Sequence, residues 1–140
     1  MDEADIITAT VTLLKSDAAV TALCADRVFG DELPNDEAAA MPRAAIVVRA
    51  SGGTSIAAGS FIQHDTQRLD LVAYGATKFD ADALRRAARR VLTALRRRVI
   101  GNVLIHWIES AGGFSSGRDR DGAWPYAFQS FQVFHALQEV

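Results

Sequence analysis

Seven of the thirteen arginines in this chain fall between Lys78 and Val99, and they are the side chains best spaced to do chemistry. A guanidinium is always charged and offers a planar fork of donors, so a row of them binds phosphate or carboxylate. Projected at about 100° per residue, Arg85, Arg86, Arg89, Arg90, Arg96 and Arg97 share one side of a helix. Leu84, Ala87, Ala88, Val91, Leu92, Leu95 and Val99 share the other. Arg98 falls at the border and must snorkel outward or find a partner. Like charges stacked at Arg85–Arg89 and Arg86–Arg90 cost roughly 0.2–0.5 kcal/mol each, so the spacing points to a compensating anion. Two are available: nucleic-acid phosphate, or an acidic surface of a neighbouring subunit such as one carrying Asp31, Glu32, Asp36 and Glu37. A plain solvated face is the competing reading.

Other chemistries find less support. His64, His106 and His135 are scattered, and none stands at ligand spacing to a partner, whereas zinc needs three or four converging ligands. Cys24 follows an apolar stretch and precedes Ala25-Asp26, with no flanking cation to lower its pKa, so it reads as core rather than as a nucleophile. The loop containing Gly52 and Gly53 has neither the lysine of a Walker loop nor a following helix, which both nucleotide fingerprints require. Arg118, Asp119, Arg120 and Asp121 alternate in sign between two glycines, as in a solvated turn with local charge pairing. No catalytic residue, metal or cofactor is implied.

Positioning these residues requires a mixed fold. Ile6, Ile7, Val11 and Leu14 recur at helical spacing over residues 3–15, and Ser16 or Asp17 caps a second helix over 18–25. Arg27-Val28-Phe29-Gly30 is an edge strand or crossing segment, and residues 31–42 are a loop whose alanine run makes at most one helical turn. Strands are expected over 44–50, from Phe61 or His64 to Tyr74, over 103–109 and over 124–137, the last from its strict alternation. The Gly/Ser/Thr/Ala-rich residues 51–60 form a connection expected to be mobile. Thr77 caps the long helix, and Gly101-Asn102 stops it. The order α-α-β-β-α-β-β predicts an α+β domain over residues 1–140: an antiparallel four-stranded sheet with helices packed on one face.

At 140 residues the chain fits a single domain that needs no disulfide staple, and its one cysteine excludes an intrachain framework. The acidic start Met1-Asp2-Glu3-Ala4-Asp5 does not resemble a secretory signal, and no apolar run is long enough for a membrane span. With a net charge of −2, any nucleic-acid contact has to be local.

The helical pair ending in Asp17-Ala18-Ala19-Val20-Thr21-Ala22-Leu23 leads to Arg27-Val28-Phe29 and then to Pro42-Arg43-Ala44-Ala45-Ile46-Val47-Val48. A Gly/Ser loop, Asp70-Leu71-Val72-Ala73-Tyr74-Gly75, the long helix and two further strands follow. Over nearly the whole chain this pattern resembles the tail terminator or tail completion proteins of long-tailed bacteriophages and gene transfer agents. The resemblance implies a small non-enzymatic subunit that forms a ring, usually a hexamer. Its implied partners are further copies of itself, the tail tube protein and the head-tail connector protein, with DNA in the ring lumen as another. It places the protein in the virion tail or neck, after assembly in the bacterial host cytoplasm. Interface candidates are Arg85, Arg86, Arg89, Arg90, Arg96, Arg97, Gly52, Gly53, Arg118, Asp119, Arg120 and Asp121. The alternative is a small nucleic-acid-binding module that uses the arginine face.

Overall fold

The computed structural model describes residues 2–52, 64–119 and 121–140. Asp5 caps α1 (Ile6–Lys15) by accepting from the Thr8 amide. Asp17 then accepts from the Ala19 and Val20 amides, each at 3.0 Å, and starts α2 (Ala18–Cys24). Both caps satisfy amides that a helix N-terminus leaves without intrahelical partners. Next come β1 (Val28–Gly30), the single turn α3 (Asn35–Ala38) and β2 (Ala45–Ala50). β3 (His64–Tyr74), α4 (Lys78–Thr93), β4 (Arg98–Ile100), β5 (Val103–Ser110), β6 (Ser115–Asp119) and β7 (Trp124–Ala136) follow.

Among the described residues the strands form one seven-stranded sheet in the order β1-β2-β3-β7-β5-β4, with β6 also paired to β7. β7 organises it. One edge of β7 pairs with β3 from Tyr126↔Tyr74 to Ala136↔His64. Its other edge is taken in succession by β6, opposite residues up to Phe128, and by β5, opposite residues from Phe131. Alternation along the strands sends Leu69, Leu71, Ala73, Phe131 and Val133 toward α1, α2 and α4, where they join Leu14, Val20, Leu84 and Leu92 in the main core. On the opposite face Val47, Tyr74 and Trp124 meet Leu33, Ala38 and Met41 from the α3 segment in a second, smaller cluster.

At Gly75 the chain passes from β3 into α4 so tightly that an added Cβ would lie 2.5 Å from the Ala81 nitrogen. Thr77 then caps α4 by accepting from the Asp80 amide at 3.1 Å.

Several expectations are corrected. The sheet is larger than four strands and not wholly antiparallel: β1 runs parallel to β2, because residues 31–44 are long enough to carry the chain back to the same end. Helices also do not all share one face, since α3 covers the other. The long helix ends at Thr93 rather than near Val99. Beyond it Val99 and Ile100 pair with Leu104 and Val103 across a two-residue loop, so Gly101-Asn102 is a hairpin turn instead of a helix stop. Gly101 takes φ +61° there, the conformation a tight hairpin asks of its first loop residue. Gly117, Arg118 and Asp119, read as part of a charged turn, lie with Ser115 and Ser116 on a strand because β7 supplies a free edge for it. Of the 51–60 connection only Ser51 and Gly52 are described; the expectation of mobility for the rest, Gly53 included, lies outside the described residues, as does Arg120.

Candidate functional site

Four of the six helix arginines are already engaged. Arg85, placed by periodicity on the outer face, is instead buried, with 5% of its surface exposed. Its Nε donates to Asp82 Oδ1 at 2.9 Å, its Nη1 donates to Gln129 Oε1 at 2.8 Å, and the guanidinium lies 4.0 Å from the Phe114 ring centroid. Gln129 Nε2 passes the chain on to the Gly112 carbonyl and the Ser110 hydroxyl, which also accepts from Arg89 Nε at 3.1 Å. Arg86 Nε bonds the second Asp82 oxygen at 3.0 Å, and Arg90 stands 3.5 Å from Asp17. The network therefore ties α4 to the break between β5 and β6, where Gly112-Gly113-Phe114 interrupts the pairing with β7. Its role is structural. A buried guanidinium held by a carboxylate, an amide and an aromatic face has its donors and its charge provided for.

Arg96, Arg97 and Arg98 differ. They leave the end of α4, are exposed, and have no ion pair among the described residues. With Ala94 and with Leu13, Ser16 and Asp17 at the end of α1, they line an open pocket of about 570 Å³. Leu13, Val91 and Leu95 supply its apolar floor. Sequence reasoning placed Arg96 and Arg97 correctly on the surface but on the wrong element.

The remaining candidates are dispersed. Gly52 is exposed at φ +80°, and its carbonyl accepts from the Arg68 amide at 2.9 Å, extending the β2–β3 ladder. Arg118 and Asp119 lie on β6 and line a second pocket, of about 430 Å³, with Arg49, Val72, Tyr74, Ser115, Tyr126 and Phe128 on the sheet face away from the main helices. Asp119 accepts from the Tyr74 hydroxyl at 3.3 Å, and Arg118 donates to the Gly122 carbonyl at 3.3 Å. Asp121 sits in the turn beyond, exposed, at φ +60°.

Two histidines that look unrelated in sequence meet in space. His64 on β3 and His106 on β5 reach over the intervening β7, and His106 Nε2 lies 2.9 Å from His64 Nδ1. Nothing in their spacing announces this, since only the strand register puts them together. Beside them Trp107, half exposed, stacks on Phe134 with ring centroids 4.3 Å apart. Burial first, then the nearby Arg97, His64 and His135, holds the His106 pKa below its ordinary 6.5. As pH falls through 6.5, the unfolded chain takes this proton before the folded one, so stability declines from that point down to the folded pKa. The urea midpoint should be lower at about pH 5.5 than at about pH 7.5, and His106→Gln should narrow that gap. An unchanged gap would detach His106 from the pH response.

Cys24 is fully buried, its thiol directed at the Val20 carbonyl at 3.4 Å, and burial raises its pKa. Among the described residues no group of three His, Cys, Asp or Glu side chains could hold a metal, and no single helix is long and apolar enough to cross a membrane.

The chain matches the family described as Tail completion protein gp17 over residues 8–136. Its fold is similar to a chain in the solved structure of the virion of a native gene transfer agent particle, with a TM-score of 0.68, 14% identity and coverage of 94% of both chains. No curated protein sequence matches it. A family match that takes in all the described strands, α2, α4 and most of α1, on a fold whose best-formed polar network is structural, places the chain: it belongs to the tail completion protein family, structural proteins of phage and gene transfer agent particles.

Proposed function

We propose that this protein is a non-enzymatic, ring-forming subunit that closes the end of a tail tube and joins it to the head connector. The observation that carries the reading is the family match across residues 8–136. The fold suits the task, because a sheet packed on both faces gives a rigid body, while exposed side chains such as Phe79 and Trp107 remain for neighbours. The mechanism is surface complementarity with the tube protein on one side and the connector on the other, in the tail or neck of a particle assembled in the host cytoplasm.

Deleting the gene from a particle-producing strain should leave tails without attached heads, and the purified protein should show a mass several times that of its 15.1 kDa chain as concentration rises. A strain whose particles are complete without the gene would overturn the reading. The second reading, nucleic-acid binding, is favoured by one observation, the three exposed arginines after α4, which have no ion pair among the described residues. It requires duplex affinity that falls steeply with salt.

A further inference from the structure

We propose that the pocket at the end of α4 receives the acidic segment around Asp31, Glu32 and Asp36 of a second copy of this chain, so that subunits join head to tail. The inference rests on the ring-forming reading and names the contact that would build the ring.

The pocket is cationic beyond what its own fold needs. Helix C-termini carry roughly half a negative charge each, so the ends of α1 and α4 account for part of the charge of Arg96, Arg97 and Arg98. Asp17 is the one carboxylate among the described residues that line the pocket, and it is spent on capping α2 and on Arg90. Positive charge is therefore left facing outward above an apolar floor of Leu13, Val91 and Leu95. Such a lining fits a peptide segment with carboxylates and some apolar surface.

The complementary patch is on the opposite side of the sheet. Asp31, Glu32 and Asp36 are exposed and have no ion pair among the described residues. They stand on a fixed platform. Leu33, Ala38 and Met41 anchor the segment against Val47, Tyr74 and Trp124, and Glu37 is clamped by Arg43 Nε at 2.7 Å. A surface held in place before docking loses little conformational entropy on binding. Glu37, included in the acidic surface at the outset, is thus a brace for the segment rather than a contact.

Geometry then dictates the mode of association. The pocket belongs to the layer of α1 and α4, while the acidic segment covers the other face of the sheet. Two different patches on opposite layers cannot make a two-fold dimer through one another. They make a heterologous contact, which closes as a ring when the rotation allows. Nucleic acid fits the pocket less well, because a duplex tracks a continuous basic stripe. Here the stripe is interrupted by Asp82, which holds Arg85 and Arg86, and by Asp17 beside Arg90.

The test is charge exchange in a strain lacking the gene, scored as completed particles and as mass of the purified protein. Arg96→Glu with Arg97→Glu, and separately Glu32→Lys with Asp36→Lys, should each lower completed particles by about tenfold or more. Circular dichroism and a thermal melt should show both variants folded. Combining all four substitutions should recover most of the loss, because the exchanged charges again oppose one another. A fourfold variant no better than the worse pair, or an arginine pair that leaves completion at the parental level, would overturn the contact. Salt-dependent duplex binding that is lost only in the arginine pair, with the acidic pair complete, would assign the pocket to nucleic acid instead. If deletion of the gene blocks tail completion but the exchanges have no effect, only this interface fails; if deletion itself has no effect, the ring reading falls with it.

Discussion

Replacing Phe131 with alanine is expected to destabilise the domain by about 3–5 kcal/mol, the usual range for truncating a packed aromatic. Phe131 is the largest fully buried side chain among the described residues and has no exposed surface. It stands in the middle of β7, opposite Leu69 of β3 on one side and Ser110 of β5 on the other, so three strands and the helices above them line the space it would vacate. A domain of this kind has about 5–15 kcal/mol of stability to lose. The variant should therefore melt far lower and accumulate poorly. Phe134→Ala, three residues along, provides the control. Its ring points to the other face, stacks on the half-exposed Trp107, and is itself only partly buried. Chemical denaturation of both should give Phe134→Ala less than half the loss. Equal losses would mean that the two faces of β7 carry equal weight, contrary to the core described above.

The second large effect is expected at Arg85. Arg85→Ala removes a buried guanidinium from Asp82, Gln129 and Phe114 together and leaves Gln129 Oε1 without its donor. Losing a charged hydrogen bond and stranding a buried acceptor should cost about 2–3 kcal/mol in all. Arg89→Ala, one turn further on and exposed, should stay within about 0.5 kcal/mol. Adding Gln129→Met to Arg85→Ala should cost less than the sum of the two single changes, since the second removes the acceptor that the first orphans. Strict additivity would show that the two side chains do not act as a pair. Because the network holds the segment between β5 and β6, Arg85→Ala should also speed amide exchange at residues 111–114, which Arg89→Ala should not do.

Arg85 also shows where sequence reasoning reached its limit. A helical wheel sorts residues by angle, and six arginines on one arc read as one face. Yet Arg85 is four residues after Ala81 and three before Ala88, both fully buried, so it lies on the inner stripe between two side chains small enough to leave room for it. That flanking pattern is the signal that finds it. The helix end fails for a related reason: Leu95 and Val99 continue the apolar period, but Val99-Ile100-Gly101-Asn102-Val103-Leu104 is also a symmetrical hairpin pattern around Gly-Asn. Pairing with β5 decides the contest. By contrast the Asp17 and Thr77 caps are legible because they act within one turn, and the β7 alternation is legible because both of its faces are occupied. β6 has no apolar period at all. It is a strand only because the free stretch of the β7 edge lies beside it, a fact about the assembled sheet that no local reading contains.

The central place of β7 sets when this protein becomes a protein. The strand that joins β3 to β5 and β6 is the last of the seven in chain order, so the β1–β2–β3 fragment and the β4–β5 hairpin cannot become one sheet before β7 has been made. Until residue 136 has emerged, β3 and β5 each present an unpaired edge, and their closure joins residues far apart along the chain, a slow topology. Open edges of this kind are templates for wrong pairing. Surfaces built on the finished sheet exist only once β7 is in place, and its arrival ends both the exposure of those edges and the risk of misassembly they carry.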